Sequence, residues 1–176
     1  MQLMDNSDPF LSITTFIFDI DGVLTDGTVL LLDNGLQARR MNIKDGYALQ
    51  LAVKKGYRLL AVSGADSQPA VARLNKLGIT EVYLSVTDKK AFVEKYMAER
   101  HLQAGEVLFM GDDMPDLPVM EVAGLPACPA DAAEEIRQAA RYISPYAGGA
   151  GCVRDVIEKV LKGQGRWQLQ PDITSS

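Results

Sequence analysis

Four clusters of residues in this chain are of the types that catalyse phosphoryl transfer. In chain order they are Asp19 with Asp21, Ser63 with Gly64, Lys89, and Asp112, Asp113 and Asp116. One carboxylate can attack phosphorus while a second handles the proton of the leaving oxygen. A hydroxyl and an ammonium group can bind the phosphate oxygens as charge spreads over them. Mg²⁺ prefers hard oxygen ligands and would offset the repulsion between the attacking carboxylate and the phosphate.

The segments around these residues predict a parallel sheet that brings them together. Apolar runs typical of buried strands alternate with segments that have helical spacing. We expect strands over residues 14–18, 58–63, 81–85, 107–110, 125–128 and 142–143, and helices over residues 45–56, 67–77, 88–100, 116–122, 131–140 and 152–162. Such repeated βα units predict an α/β fold with a doubly wound parallel sheet, whose carboxyl edge collects the ligand-binding residues.

A β-hairpin is the insertion that we predict between the first strand and its helix. Asn34-Gly35 separates residues 28–32 from residues 37–41, and Asn-Gly between two such runs is a strong hairpin signal. This leaves no room for a cap domain, so we expect one domain over residues 1–176 with its core at 14–162. Residues 163–176 are polar and predict a mobile tail.

Composition argues against several function classes. A net charge of −5 disfavours nucleic acid or an anionic membrane as the main partner. No apolar run approaches the length of a membrane span, and the N-terminus lacks the basic-then-apolar form of a signal peptide. Cys128 and Cys152 have no metal-ligand spacing and predict core thiols in a reducing compartment. We therefore expect a cytoplasmic protein that binds an anionic small molecule through a local cation or a metal.

Each motif has an ordinary structural explanation when it is taken alone. Ser63-Gly64 is typical of a turn, Lys89 of a solvated helix and Asp116 of a helix N-cap. His101, the only histidine, is expected at a helix end rather than in the chemistry. The occurrence of all four motifs in one order, at strand ends and helix starts, favours the catalytic interpretation.

The order Asp-x-Asp-Gly, Ser-Gly, Lys and Gly-Asp-Asp-x-x-Asp resembles that of the haloacid dehalogenase (HAD) superfamily of phosphohydrolases, from about residue 14 to 162. The resemblance implies that Asp19 is the nucleophile and Asp21 the general acid/base. It also implies that Asp19, the main-chain carbonyl of Asp21 and Asp112 hold Mg²⁺.

The same resemblance assigns roles to the remaining motif residues. Ser63, Gly64 and Lys89 would bind the phosphate group. Asp113 and Asp116 would orient the metal shell and the lysine.

A narrower group within the superfamily is similar in its capless layout, its hairpin and the segment Met41-Asn42-Ile43-Lys44-Asp45-Gly46-Tyr47. It contains the phosphatases of 3-deoxy-D-manno-octulosonate 8-phosphate (KDO 8-phosphate) and of related nine-carbon sugar acids. By this resemblance the residues that would line the substrate site are Asn42, Ile43, Lys44, Asp45, Gly46, Gln50 and Arg73. The group commonly has arginine where this chain has Gln50, Ala65 and Ala150, so both kinds of sugar acid stay open as substrates.

The resemblance also implies a homotetramer whose hairpins form a small central barrel and close part of the neighbouring active sites. Val29 and residues 30–32 support this expectation, because a two-stranded ribbon cannot bury such an apolar run alone.

Three other interpretations use similar residues. A signalling receiver domain would carry its phosphoacceptor mid-chain, whereas the first acidic pair here lies in the first loop. A non-catalytic HAD assembly partner would have no use for costly buried carboxylates. A phosphomutase would need a cap to retain its intermediate.

Overall fold

The computed structural model describes residues 8–173 as an α/β fold. Residues 1–7, which include the N-terminal segment used above against a signal peptide, lie outside the described residues, as do residues 174–176. The strands are β1 (Thr15–Phe18), β2 (Leu30–Leu31), β3 (Gln37–Ala38), β4 (Arg58–Val62), β5 (Glu81–Tyr83), β6 (Val107–Met110), β7 (Leu125–Cys128) and β8 (Tyr142–Ile143).

Six α-helices accompany the strands in the described residues. They are α1 (Ile43–Lys54), α2 (Gln68–Lys76), α3 (Lys89–Glu99), α4 (Leu117–Met120), α5 (Glu134–Ala139) and α6 (Cys152–Gly163). None of these helices combines the length and the apolar composition that crossing a membrane requires.

The main sheet has the strand order β5-β4-β1-β6-β7-β8, and every neighbouring pair is parallel. β1 lies in the middle, with Phe16 in register with Leu59 of β4 and Leu108 of β6. The carboxyl ends of β1, β4 and β6 are therefore neighbours at one edge of the sheet. This arrangement confirms the predicted doubly wound parallel sheet.

The core lies on both faces of the sheet, because successive strand side chains point to opposite faces. Phe16 and Phe18 pack on the face covered by α1, α2 and α6. Ile17 packs on the other face, against α3, α4 and α5. Both layers hold the central strands, and so their polar carboxyl ends, in fixed positions.

The hairpin strands are shorter than predicted. The ladder contains only β2 and β3, two residues each, although we expected strands over residues 28–32 and 37–41. Beyond β3, Arg39 and Arg40 pair with Asp21 and Asp26, and Met41 forms an isolated antiparallel bridge with Thr25. Leu30 and Leu31 of this ribbon are exposed, at 63% and 74%.

The helix after the hairpin begins earlier than predicted. It starts at Ile43 rather than at Asp45, because the Asn42 side chain caps it by accepting hydrogen bonds from the backbone N–H groups of Lys44 and Asp45. Asparagine is among the favoured N-cap residues, so the sequence did contain this signal.

The structure describes residues 163–173 of the predicted mobile tail, and part of this segment packs against the domain. Ile173 is buried in the larger core layer, and Trp167 packs against it. The Trp167 ring also meets the Tyr47 ring edge-on, with 6.3 Å between centroids. Trp167 and Ile173 are thus apolar residues of this polar segment that pack against the core.

Candidate active site

A cavity of about 460 Å³ opens at the carboxyl edge of the sheet. Residues that follow β1, β4 and β6, together with the first residue of α3, line it. Eight of the lining residues are those that the sequence motifs predicted: Asp19, Asp21, Ser63, Gly64, Lys89, Asp112, Asp113 and Asp116. The parallel sheet thus brings together groups that are up to 97 positions apart, from Asp19 to Asp116.

Lys89 is a buried lysine that lines the cavity. Its ammonium group donates to Asp19 Oδ1 at 2.8 Å and to Asp116 Oδ1 at 2.7 Å. All three residues are buried. Helix α3 can present the lysine in its first turn because the side chain of Asp88 caps the helix at the backbone N–H of Ala91. One buried cation therefore holds two carboxylates together.

Asp116 also organises the loop that carries Asp112. Its second oxygen, Oδ2, accepts hydrogen bonds from the backbone N–H groups of Asp112 at 3.0 Å and Asp113 at 3.4 Å. Asp116 therefore contacts both the lysine and the loop that carries Asp112, and its predicted orienting role stays a prediction. Asp113 caps the same loop by accepting from the backbone N–H of Met114.

A glycine is required where the first loop passes Asp112. Gly22 has a φ of 85°, and a Cβ atom built on it would lie 1.9 Å from Asp112 Oδ2. Any other residue would both strain the backbone and displace this carboxylate. The Gly of the Asp-x-Asp-Gly motif therefore lets the two acidic loops touch.

The loop that contains Gly22 is also contacted by residues 148–151, a segment outside the four motifs. A Cβ atom on Gly148 would lie 1.9 Å from the carbonyl oxygen of Gly22, and the N–H of Gly149 donates to Val23 O at 3.0 Å. The sequence analysis used residues 148–151 only as part of the family resemblance. Their glycine content was the signal for this close approach.

The clustering of carboxylates changes their acidity. Burial, followed by the neighbouring charge of Asp116, raises the pKa of Asp19 to about 6. Burial and the charges of Asp19 and Asp116 raise the pKa of Asp112 to about 8. Burial alone would lower the pKa of Lys89, but the charges of Asp19 and Asp116 outweigh it and the pKa is raised.

The site fits a divalent cation. Oxygens of Asp19, Asp112 and Asp116 lie within 4.8 Å of one another. Asp112 Oδ1 is buried and has no hydrogen-bond partner among the described residues. Since both oxygens of Asp116 are already engaged, Asp19 and Asp112 are the carboxylates best placed to bind a metal. Crowded acids with raised pKa values and an orphaned oxygen are what a hard cation would satisfy.

Asp21 has a partner that the sequence did not indicate. Arg39 directly follows strand β3 of the hairpin, and its Nε donates a hydrogen bond to Asp21 Oδ1 at 2.6 Å. The side chain of Arg39 is 13% exposed and that of Asp21 is 35% exposed. No short motif links positions 21 and 39, so only the folded hairpin discloses this pair.

The seven predicted substrate residues do not line the carboxylate cavity within this chain. Asn42 caps α1, and buried Asp45 accepts a hydrogen bond from the backbone N–H of Arg154 at 2.8 Å. Gly46 packs against the Arg73 guanidinium, where a Cβ atom would lie 3.0 Å from Nη2. Arg73 lines a second cavity of about 320 Å³, which Arg39 also lines.

The other three predicted substrate residues, Ile43, Lys44 and Gln50, lie on helix α1. Ile43 and Lys44 are exposed, and Gln50 is half-buried and engaged by a partner of its own. Asp45 and Asn42 have structural partners that account for them, whereas the substrate-binding role of the whole set stays a prediction.

Comparison with known proteins identifies the family. Residues 72–156 match the family model described as haloacid dehalogenase-like hydrolase. The chain is 32% identical over 155 residues to the 3-deoxy-D-manno-octulosonate 8-phosphate phosphatase of Escherichia coli K12, covering 88% of this chain and 82% of that protein. The chain belongs to the haloacid dehalogenase-like hydrolases. It is a HAD phosphatase, that is, a phosphomonoester hydrolase, and this family membership excludes the receiver interpretation.

Solved structures also support the assignment of this chain to the HAD family. The Yersinia pestis KDO 8-phosphate phosphatase superposes with a TM-score of 0.86 at 30% identity, covering 90% of this chain and 85% of that one. The Moraxella catarrhalis enzyme, crystallised with a magnesium ion, a phosphate ion and a KDO molecule, gives 0.87 at 28% identity, covering 90% and 91%. HAD phosphatases use a divalent metal, and the carboxylate cluster described above is suited to hold one.

Proposed function

We propose that this HAD phosphatase hydrolyses KDO 8-phosphate to KDO and phosphate, with Mg²⁺ as its metal. The observation that carries the proposal is the buried cluster of Asp19, Lys89, Asp116 and Asp112 at the sheet edge. It occurs in a chain that superposes over 90% of its length on a phosphatase bound to magnesium, phosphate and KDO.

Asp19 is the proposed nucleophile. Its carboxylate attacks phosphorus, the bond to the sugar oxygen breaks, and an aspartyl-phosphate forms on Asp19. Asp21, two residues on, gives a proton to the leaving oxygen and then takes one from the water that hydrolyses the intermediate. This hydrolysis releases inorganic phosphate and regenerates the free carboxylate of Asp19. The position of Asp19 directly after the central strand supports this role, because the buried sheet fixes the attacking atom.

The phosphate group is proposed to lie between Ser63, Gly64 and Lys89. The Ser63 hydroxyl accepts from the backbone N–H of Ala65 at 3.1 Å, which leaves its own proton for a phosphate oxygen. Lys89 supplies a buried positive charge against which phosphate charge can develop.

The carboxylates of Asp19 and Asp112 and the main-chain carbonyl of Asp21 would hold the Mg²⁺ ion. Bound there, the ion would reduce the repulsion between the nucleophile and the phosphate dianion. The orphaned Oδ1 of Asp112 supports this assignment. Asp113 and Asp116 would keep the loop and the lysine in place.

A nine-carbon sugar acid phosphate is the second candidate substrate. Ala65 keeps this candidate open, because it lines the cavity at a position where the sugar-acid phosphatases that the chain resembles commonly carry arginine. The missing guanidinium changes the space and the charge available to the far end of the substrate. The proposed substrate contacts of residues 42–46, Gln50 and Arg73 would then differ between the two sugar acids.

We further propose a homotetramer assembled through the hairpins. The exposed leucines of this ribbon support it, since an edge-exposed apolar hairpin calls for a partner. Such an assembly would place residues near one hairpin at the mouth of a neighbouring site.

Phosphate release from a set of substrates tests the proposed function. KDO 8-phosphate, a nine-carbon sugar acid 9-phosphate, glucose 6-phosphate and p-nitrophenyl phosphate would be compared by kcat/KM in Mg²⁺. We expect KDO 8-phosphate to be preferred over the two esters without a carboxylate by at least about 100-fold, the discrimination that a lost charged contact gives. Equal rates on all four, or none on either sugar acid, would overturn the proposal.

A further inference from the structure

The ion pair between Arg39 and Asp21 joins two cavities. Asp21 lines the carboxylate cavity, and Arg39 lines the adjacent cavity of about 320 Å³. Their side chains meet at 2.6 Å, so the pair forms the wall between the two spaces. The proposed general acid/base is thus held by a residue that also faces a second binding space.

This second cavity, which we call the arginine cavity, has the chemistry of an anion site. Arg39 and Arg73 line it together with the buried side chain of Ser67. Among residues 8–173 no carboxylate lies within ion-pair distance of Arg73, whose guanidinium rests against α1 at Gly46. Two guanidinium groups line this cavity and only that of Arg39 is paired with a carboxylate, which favours a ligand that brings a carboxylate or a similar anion.

The contact to Arg39 restricts Asp21. A carboxylate in a short, half-buried pair with a guanidinium is fixed by a charge-assisted hydrogen bond. The engaged oxygen, Oδ1, can serve a leaving oxygen in the neighbouring cavity only when its hydrogen bond to Arg39 is broken. The guanidinium would then need another partner, since an uncompensated charge in that position is costly.

We propose that Arg39 is a latch that exchanges partners: it holds Asp21 in the empty enzyme and transfers to the carboxylate of a bound sugar-acid phosphate, which frees Asp21. Arg39 is thereby a positioning and specificity-determining residue, and this inference rests on the proposed function. A substrate with both a phosphate and a carboxylate would fill the two cavities at once. A simple phosphate ester would leave Arg39 on Asp21 and react slowly.

A double-mutant cycle on sugar-acid binding tests the exchange directly. KDO affinity would be measured by calorimetry for the wild type, Asp21→Asn, Arg39→Gln and the double variant. In the presence of Arg39, Asp21→Asn should tighten KDO binding by about 5- to 20-fold, because the guanidinium no longer has a competing carboxylate. In the Arg39→Gln background the same change should alter affinity less than about 2-fold. An equal effect of Asp21→Asn in both backgrounds would overturn the latch.

Kinetics separate the latch from a purely structural role. Arg39→Gln should lower kcat/KM for KDO 8-phosphate relative to that for glucose 6-phosphate by about 10- to 100-fold, with Arg39→Lys intermediate. A structural role would lower both values together, and that result would contradict the proposal. Arg137→Gln, which removes an exposed arginine from α5, is the matched control and should leave the ratio unchanged.

The outcomes also distinguish failure of the substrate assignment. If KDO 8-phosphate is not hydrolysed but KDO binding shows the coupling, the proposed substrate is wrong and the latch stands for another sugar acid. If none of the four proteins binds KDO, the latch as proposed is overturned together with the substrate.

Discussion

At the residue scale, the site depends on balancing buried charges. Lys89 compensates Asp19 and Asp116 through two short hydrogen bonds, while Asp112 touches this group without a cation of its own. Burying several carboxylates is unfavourable unless a cation or protons neutralise them. The raised pKa values of Asp19 and Asp112 reflect this cost, because burial and the neighbouring carboxylates disfavour their charged forms.

Metal binding should therefore become tighter as the pH rises. The pKa values of about 6 for Asp19 and about 8 for Asp112 mean that a cation must displace protons below pH 8. We expect the stabilisation of the fold by Mg²⁺, measured as the rise in Tm over an EDTA control, to be larger at pH 8 than at pH 6. Asp112→Asn should weaken Mg²⁺ binding at least about 10-fold. Glu135→Gln, on the exposed side of α5, serves as the control, and an equal loss in both variants would contradict the assignment.

Asp45 should make stability depend on pH. Burial raises its pKa to about 6 from an ordinary value of 3.8, so the folded state binds an extra proton between these values. Stability contributed by that proton is present below pH 4 and is lost as the pH rises through 6. Relative to Asp45→Asn, the wild type should lose up to about 3 kcal/mol of unfolding free energy between pH 4 and pH 7.

Urea denaturation of both proteins across that range measures the difference directly. Asp45→Asn retains an acceptor for the N–H of Arg154, so the comparison isolates the charge. A difference in unfolding free energy that does not change with pH would show that Asp45 titrates normally in the folded protein.

At the element scale, the C-terminal segment is an integral part of the domain. Trp167 contacts the Tyr47 ring of α1, and the Arg154 guanidinium of α6 lies 5.5 Å above its ring. Trp167→Ala should cost about 1–3 kcal/mol of unfolding free energy, less than for a fully buried tryptophan. Leu169→Ala, at a side chain that is 82% exposed, should change it by less than about 0.5 kcal/mol. If chemical denaturation shows an equally small loss of unfolding free energy in both variants, the segment does not stabilise the fold.

The elements show which features a sequence can predict. The extents of β6 and β7 agree with the apolar runs that predicted them, because a buried strand must be apolar on both faces. The eight motif residues were found because each follows a strand or opens a helix, and parallel topology brings such positions together.

Other features depend on contacts between distant positions. Arg39 carries no signal of its pairing with Asp21, and the short extent of the hairpin ladder was not indicated by the apolar run either. The packing of Trp167 and Ile173 was overlooked because their neighbours in the sequence are polar. These cases have in common a single residue whose partner is fixed only by the folded chain.

At the scale of the whole molecule, the hairpin predicts assembly. Leu30→Lys with Leu31→Lys should convert the protein to a species near 19.2 kDa, rather than four times that mass, in light scattering. Its activity should fall more on KDO 8-phosphate than on p-nitrophenyl phosphate, because in the proposed tetramer a neighbour completes the substrate site. Leu169→Lys, at an exposed leucine outside the hairpin, should leave mass and activity unchanged. A fully active wild-type monomer would contradict the shared site.

The proposed mechanism depends on one atom pair, a carboxylate oxygen of Asp19 and the phosphorus of the substrate. The most direct test measures phosphate release from KDO 8-phosphate by the wild type and by Asp19→Asn, each with Mg²⁺ and with EDTA. We predict turnover for the wild type in Mg²⁺ only, and a loss of at least about 10⁴-fold in the folded variant, since no other group replaces a nucleophile. Substantial Mg²⁺-dependent turnover by Asp19→Asn would contradict the account.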